Sequence, residues 1–126
     1  KNTEEIAFFT KGKARNLRPD AKKDKAEPGI SHYMSGARGM LPTVFDIEPP
    51  GKNFRIHQAE KPVQLLQQIL GFVTEEKEWV LDQFAGSFSL GEAALLNERN
   101  AICIEINEEY FEKGKERLLS AKSRSR

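Results

Sequence analysis

The sequence predicts an α/β fold with a parallel sheet, on three observations. The apolar run Trp79 to Phe84 suits a buried parallel strand, and a glycine-containing turn, Ala85-Gly86-Ser87-Phe88, follows it. The turn leads into a helical stretch carrying Ala93, Ala94, Leu95 and Leu96, and a second apolar strand, Ala101 to Ile106, contains an acid, Glu105. Nineteen residues separate Gly86 from Glu105, close to the ~20 that set a second-strand acid beside a ribose held over the first turn. That geometry suits a nucleoside.

Each element follows from local pattern. Residues 4–10 are rich in Ile6, Phe8 and Phe9 and read as a strand. From Lys11 to Pro42 the chain is polar, broken by Pro19, Pro28, Gly29, Gly36 and Gly39, with no helical or strand period. A segment of that length is a long loop or an irregular recognition insert. Thr43 to Ile47 is a short apolar strand. Pro62 opens a helix at its first turn, with Val63, Leu66, Ile69, Leu70 and Val73 on one face. Residues 78–84 form the first nucleoside strand, Leu90 to Arg99 a helix ended by Asn100, and 101–106 the second strand. Asn107 caps the last helix, with Glu108 and Glu109 in its positive first turn and Lys115, Arg117 and Lys122 toward its negative end.

At 126 residues the chain is one domain with a modest core, and its 38% hydrophobic and 31% charged fractions are those of a soluble globular protein. No apolar stretch approaches the ~18 residues of a membrane span, and nothing resembles a signal peptide, so a cytoplasmic protein without a membrane partner is expected. The single Cys103 excludes an internal disulfide and a cysteine-based zinc site; between Ile102 and Ile104 it reads as a small buried hydrophobe. No metal site is expected. The net charge of +1 hides a segregation: residues 1–42 and 111–126 are basic, and 43–110 are acidic.

The turn indicates which nucleoside. A dinucleotide site presses a pyrophosphate against bare backbone and needs Gly-x-Gly-x-x-Gly, but the second glycine is here Phe88. Asp82, four residues before Gly86, suits a cation better than a pyrophosphate. S-adenosylmethionine (SAM) carries an ammonium and a sulfonium and no phosphate. The turn therefore reads as a SAM site ahead of an NAD site, with Phe84, Ala85, Gly86, Ser87 and Glu105 as cofactor-binding residues. Asp82 either meets the SAM ammonium or orders the amides of the turn; both keep it at the site. Glu105 has the acceptors to hold both ribose hydroxyls.

The segment His57-Gln58-Ala59-Glu60-Lys61-Pro62, then Asp82-Gln83-Phe84-Ala85-Gly86-Ser87, then Ile104-Glu105-Ile106 with Glu109-Tyr110-Phe111, resembles the C-terminal half of the β-class DNA amino-methyltransferases, the N6-adenine and N4-cytosine enzymes. The likeness runs from Phe45 to Leu119, and more weakly through Glu5 to Lys13, which is similar to a late sheet strand of that family. It implies a Rossmann-like SAM-dependent methyltransferase fold, three-layered with a mostly parallel sheet. The family's glycine at Phe88 is replaced, so the ring must turn away from the ligand. Its Asp/Asn/Ser-Pro-Pro-aromatic motif, which holds the target amine and stacks on the flipped base, is absent; the one Pro-Pro, Pro49-Pro50, lacks the aromatic. The fold is therefore expected to be incomplete in this chain, with no catalytic residue and with the catalytic half missing from its N-terminal side.

The resemblance further implies that His57 and Lys61 border the methionine tail of SAM, Lys61 being better suited to its carboxylate. It divides the chain into residues 1–42, a late strand with a basic target-recognition segment, and residues 43–126, the SAM-binding region. Lys11, Lys13, Arg15, Arg18, Lys22, Lys23 and Lys25 of the first part are expected to follow a DNA phosphate backbone. The expected function is the SAM-binding half of an enzyme that methylates the exocyclic amine of adenine, or of cytosine, in DNA. The alternative is a non-catalytic SAM- or nucleic-acid-binding module or partner subunit. Without the catalytic strand, 78–84 has an empty flank. A missing segment, a second copy of the chain, or residues 4–10 or 43–47 are expected to cover it.

Overall fold

The computed structural model describes residues 4–12, 30–33, 42–48, 51–57 and 59–124. In chain order its elements are β1 (Ile30–Tyr33), β2 (Pro42–Phe45), a short 3-10 turn (Lys52–Phe54), α1 (Val63–Val73), β3 (Trp79–Asp82), α2 (Ser89–Leu96), β4 (Asn100–Cys103) and α3 (Glu108–Arg124). The fold is α/β. β3 and β4 pair in parallel, in register from Trp79 opposite Asn100 to Asp82 opposite Cys103, as the apolar runs predict. β1 and β2 form a separate antiparallel pair.

The helix α2 is the hub, in contact with α1, α3, β3 and β4. Its small residues permit this, because Ala93 and Ala94 are fully buried and let neighbouring backbones approach. Leu70 packs with them, and Val63 and Leu66 of α1, Val80, Leu90 and Ala101 close around that nucleus. The α1 stripe thus faces α2, as its period requires. At the far ends of both helices Arg99 is buried, donating to the carbonyls of Thr74 at 2.6 Å and Asn97 at 2.6 Å. One guanidinium so satisfies carbonyls that two helix ends leave without intrahelical partners.

Several boundaries depart from the sequence reading. Residues 4–10 form no strand and are exposed, since no described segment pairs with them. Part of the stretch read as irregular, Ile30–Tyr33, is a strand, because it finds a partner in β2. Pro62 stands just before the first helical residue instead of inside the first turn. α2 ends at Leu96: the Asn97 amide donates to Ala93 and Ala94, Glu98 turns left-handed, and Asn100 opens β4 instead of closing the helix. The Asn107 cap is as expected, its Oδ1 accepting the Tyr110 amide at 3.0 Å.

The largest departure concerns β3, expected to be buried on both faces. Val80 packs toward α2, but Trp79 is 68% exposed and Leu81 54%, and Ile102 and Ile104 of the neighbouring strand are about half exposed. A strand is buried on both faces only when helices cover both, and α2 is the described helix packed most closely on this sheet, against the face that carries Val80 and Ala101. Among the described residues, neither 4–10 nor β2 pairs with the edge of β3 opposite β4. No helix among the described residues is long and apolar enough to cross a membrane.

Candidate functional site

Beyond the paired strands the ladder continues, with the Ile104 amide donating to the Asp82 carbonyl at 2.9 Å and the Ala85 amide to the Ile104 carbonyl at 2.9 Å. This brings the turn after β3 against the end of β4. Gly86 there has φ +52, a left-handed conformation that favours glycine. Its amide donates to Glu105 Oε2 at 2.7 Å, while Glu105 Oε1 accepts the Asn107 amide at 2.8 Å. The 19-residue spacing is thereby closed by a direct bond.

Those contacts hold the Glu105 carboxyl below its ordinary value, the Asn107 amide contributing most, against a smaller opposing effect of desolvation, with the Gly86 and Ile106 amides assisting. Glu105 therefore stays ionised through the neutral range. The carboxylate keeps acceptor capacity beyond these amides for a further donor. Asp82 Oδ1 accepts the Phe84 amide at 3.2 Å, a contact that ties the acid to the turn.

His57 stands over the glycine, its ring carbons 3.6 Å from where a Cβ on Gly86 would lie. Its ring meets Tyr110 edge-on with centroids 4.8 Å apart, and its Nδ1 accepts the Ala59 amide at 3.0 Å, which puts the proton of the neutral ring on Nε2. The structure thus gathers Asp82, Phe84, Ala85, Gly86, Ser87, Glu105 and His57. Lys61 is engaged elsewhere, its ammonium 2.6 Å from Glu4. Among the cations assigned to DNA, Lys11 is exposed, and Lys13, Arg15, Arg18, Lys22, Lys23 and Lys25 lie outside the described residues.

Phe88 occupies the left-handed region at φ 61, the conformation that a glycine would take there without strain. Its ring is buried against Gly114 of α3 and meets Phe111 edge-on at 5.9 Å. The ring therefore turns into the α2–α3 interface and leaves the open side of the turn. The steric argument against a dinucleotide falls with it, and the argument from Asp82 is what remains. Gly114 interrupts an otherwise helical segment, which in sequence marks a close approach.

Two features have no sequence signal. One is exposure: Phe84, already expected at the site, is 90% exposed two residues before Gly86, and Ile106, next to Glu105 beyond β4, is fully exposed. Such apolar groups beside a polar acceptor suit the flat face and hydroxyls of a nucleoside. The other is a buried cluster of Glu60, Glu92 and Arg117, residues far apart in the chain. Cys103, expected to be a small buried residue, is half-buried, its thiol pushed up to about 11 by burial and by the Asp82 charge. No cluster of metal-ligating side chains occurs among the described residues.

A family model described as DNA methylase, of the N6/N4 type, matches residues 1–116. The DNA adenine methyltransferase YhdJ of Escherichia coli (strain K12) is 44% identical over 62 residues, which are 49% of this chain and 21% of that protein. The type II methyltransferase M.HpaI of Haemophilus parainfluenzae is 39% identical over 67 residues, 53% of this chain and 21% of that one. Among solved structures, M1.HpyAVI in complex with SAM superposes with a TM-score of 0.59 at 30% identity, covering 84% of this chain and 45% of that chain. The chain spans about a fifth of the length of these curated relatives.

Proposed function

The chain belongs to the N6/N4 DNA methylase family, and from that premise we propose that it is the SAM-binding part of an enzyme that methylates the exocyclic amine of adenine in DNA. The observation that carries the reading is the bond from the Gly86 amide to Glu105, which joins the turn to the acid at the strand ends. Glu105 accepts the ribose hydroxyls on its remaining lone pairs, Phe84 and Ile106 flank the purine, and the 84–87 turn and His57 lie along the methionine part. SAM, when bound, supplies the methyl group. Adenine is favoured over cytosine by the likeness to an adenine methyltransferase.

In this reading the fold is part of a three-layer Rossmann-like domain. The apolar face of Trp79, Leu81, Ile102 and Ile104 supports it, because exposed apolar surface costs about 25 cal/mol per Å² and a second helical layer would remove it from water. Further polypeptide carrying the Pro-Pro-aromatic motif, a second chain or a second copy of this one is the occupant of that face. DNA is the substrate, its phosphates met by the basic segment that begins at Lys11.

Two measurements test the reading. Glu105→Ala binds SAM about tenfold to a hundredfold more weakly than the unsubstituted chain, the range expected for hydrogen bonds to a charged acceptor. Unchanged affinity by titration calorimetry sinks the assignment. The second is tritiated-methyl incorporation into unmethylated DNA: this chain alone transfers none, for want of an acceptor for the target amine. Incorporation above a no-protein control would put the catalytic residues within it. The absence of the Pro-Pro-aromatic motif from this sequence also favours a second reading, a binding module without catalysis. Joining the chain to a segment that carries the motif separates the two, because only the first reading gains activity.

A further inference from the structure

Two carboxylates lie buried behind the turn. The Glu60 side chain is 1% exposed and that of Glu92 9%. Charges so placed need a partner, and both meet the guanidinium of Arg117 on α3. Its Nη1 is 2.6 Å from Glu60 Oε1 and donates to the Ser87 carbonyl at 3.2 Å, while its Nε donates to Glu92 Oε2. Arg124, from the last turn of α3, reaches the other oxygen of Glu92. Glu60 Oε2 in turn accepts the Ile56 amide at 2.9 Å, which fixes the bend that carries His57.

One side chain therefore joins three pieces of backbone that bound the candidate site. These are the His57 bend through Glu60, the Gly86–Phe88 turn through the Ser87 carbonyl, and the start of α2 through Glu92. We infer that Arg117 is a positioning residue for cofactor binding, setting the His57 bend and the glycine turn at a fixed separation without touching the ligand; this rests on the SAM-binding reading. Arginine is required because its planar fork presents donors in two directions at once. A lysine places a single compact ammonium there and cannot hold the Glu92 and Ser87 acceptors while standing against the Glu60 charge in the same geometry.

The experiment compares the full chain with Arg117→Lys and Glu60→Gln, measuring SAM affinity by calorimetry, thermal unfolding by circular dichroism, and backbone amide resonances. Arg117→Lys is expected to remain folded with a SAM dissociation constant raised at least about tenfold, and the amides of Ala59, Gly86 and Ser87 shift while those in the middle of α1 do not. Glu60→Gln keeps an acceptor for the Ile56 amide and weakens the pull on Arg117, so a smaller loss of affinity with the same amides shifted is expected. Should Arg117→Lys fail to fold, Glu60→Gln decides. Folded variants with unchanged affinity, or with a lower melting temperature alone, overturn the inference. An unsubstituted chain that binds no SAM overturns the reading beneath it and the inference with it.

Discussion

Phe88→Ala lowers the unfolding free energy of this chain by about 3–5 kcal/mol, the cost of emptying a buried aromatic site. The ring is 3% exposed and fills the space between the glycine turn, Gly114 and Phe111, so its removal leaves a cavity at the contact of α2 with α3. Against a domain stability of about 5–15 kcal/mol this is a large share. Phe88→Gly loses the same packing but also removes a Cβ from a left-handed residue, where the penalty is about 1–2 kcal/mol. The glycine variant is therefore expected to be the more stable of the two, a reversal of the usual order inside regular structure. Urea unfolding followed by circular dichroism compares them, and an alanine variant as stable as the glycine variant would mean that the left-handed conformation is not strained.

Gly114→Ala destabilises by about 1–3 kcal/mol, as overpacking does, although alanine is the better helix former. The added methyl would lie 2.5 Å from Phe88 Cγ and 2.6 Å from Cδ1, and that ring has little room to retreat. The two positions are coupled. In the double variant Phe88→Ala with Gly114→Ala the new methyl enters the space the ring vacates, so the combined loss falls short of the sum by about 0.5–3 kcal/mol. Strict additivity in the same unfolding experiment would show that the contact between Phe88 and Gly114 does not hold the helices together. The family-type glycine at 88 would leave α3 without this anchor, so the replacement exchanges backbone ease at the turn for a packed interface behind it.

The parallel pairing of the two strands was legible because long apolar runs with a glycine turn between them have few other uses. Asn107 as a cap was legible because capping depends on a side chain and the amides of the next turn. The C-terminal limit of α2 was not, since Asn97, Glu98 and Arg99 carry no local stop signal that the sequence reading could use. A left-handed Glu98 and the buried Arg99 end the helix through contacts with Thr74 that lie far away in sequence. Residues 4–10 illustrate the same limit from the other side: Ile6, Phe8 and Phe9 have strand propensity, but a strand exists only where another offers a ladder.

The sequence by itself determined the order of elements around the site, the acid at its spacing from the glycine, and the likeness to the DNA amino-methyltransferases, because each of these is local in the chain. Only the tertiary structure decided where side chains went. It turned the Phe88 ring into α3 and set Asp82 on the Phe84 amide. It drew Lys61 to Glu4 and gathered Glu60, Glu92 and Arg117 behind the turn. Those outcomes depend on which surfaces meet after the helices pack. Burial removes water as an alternative partner, and a buried charge or ring is then held by whatever the packed neighbours present.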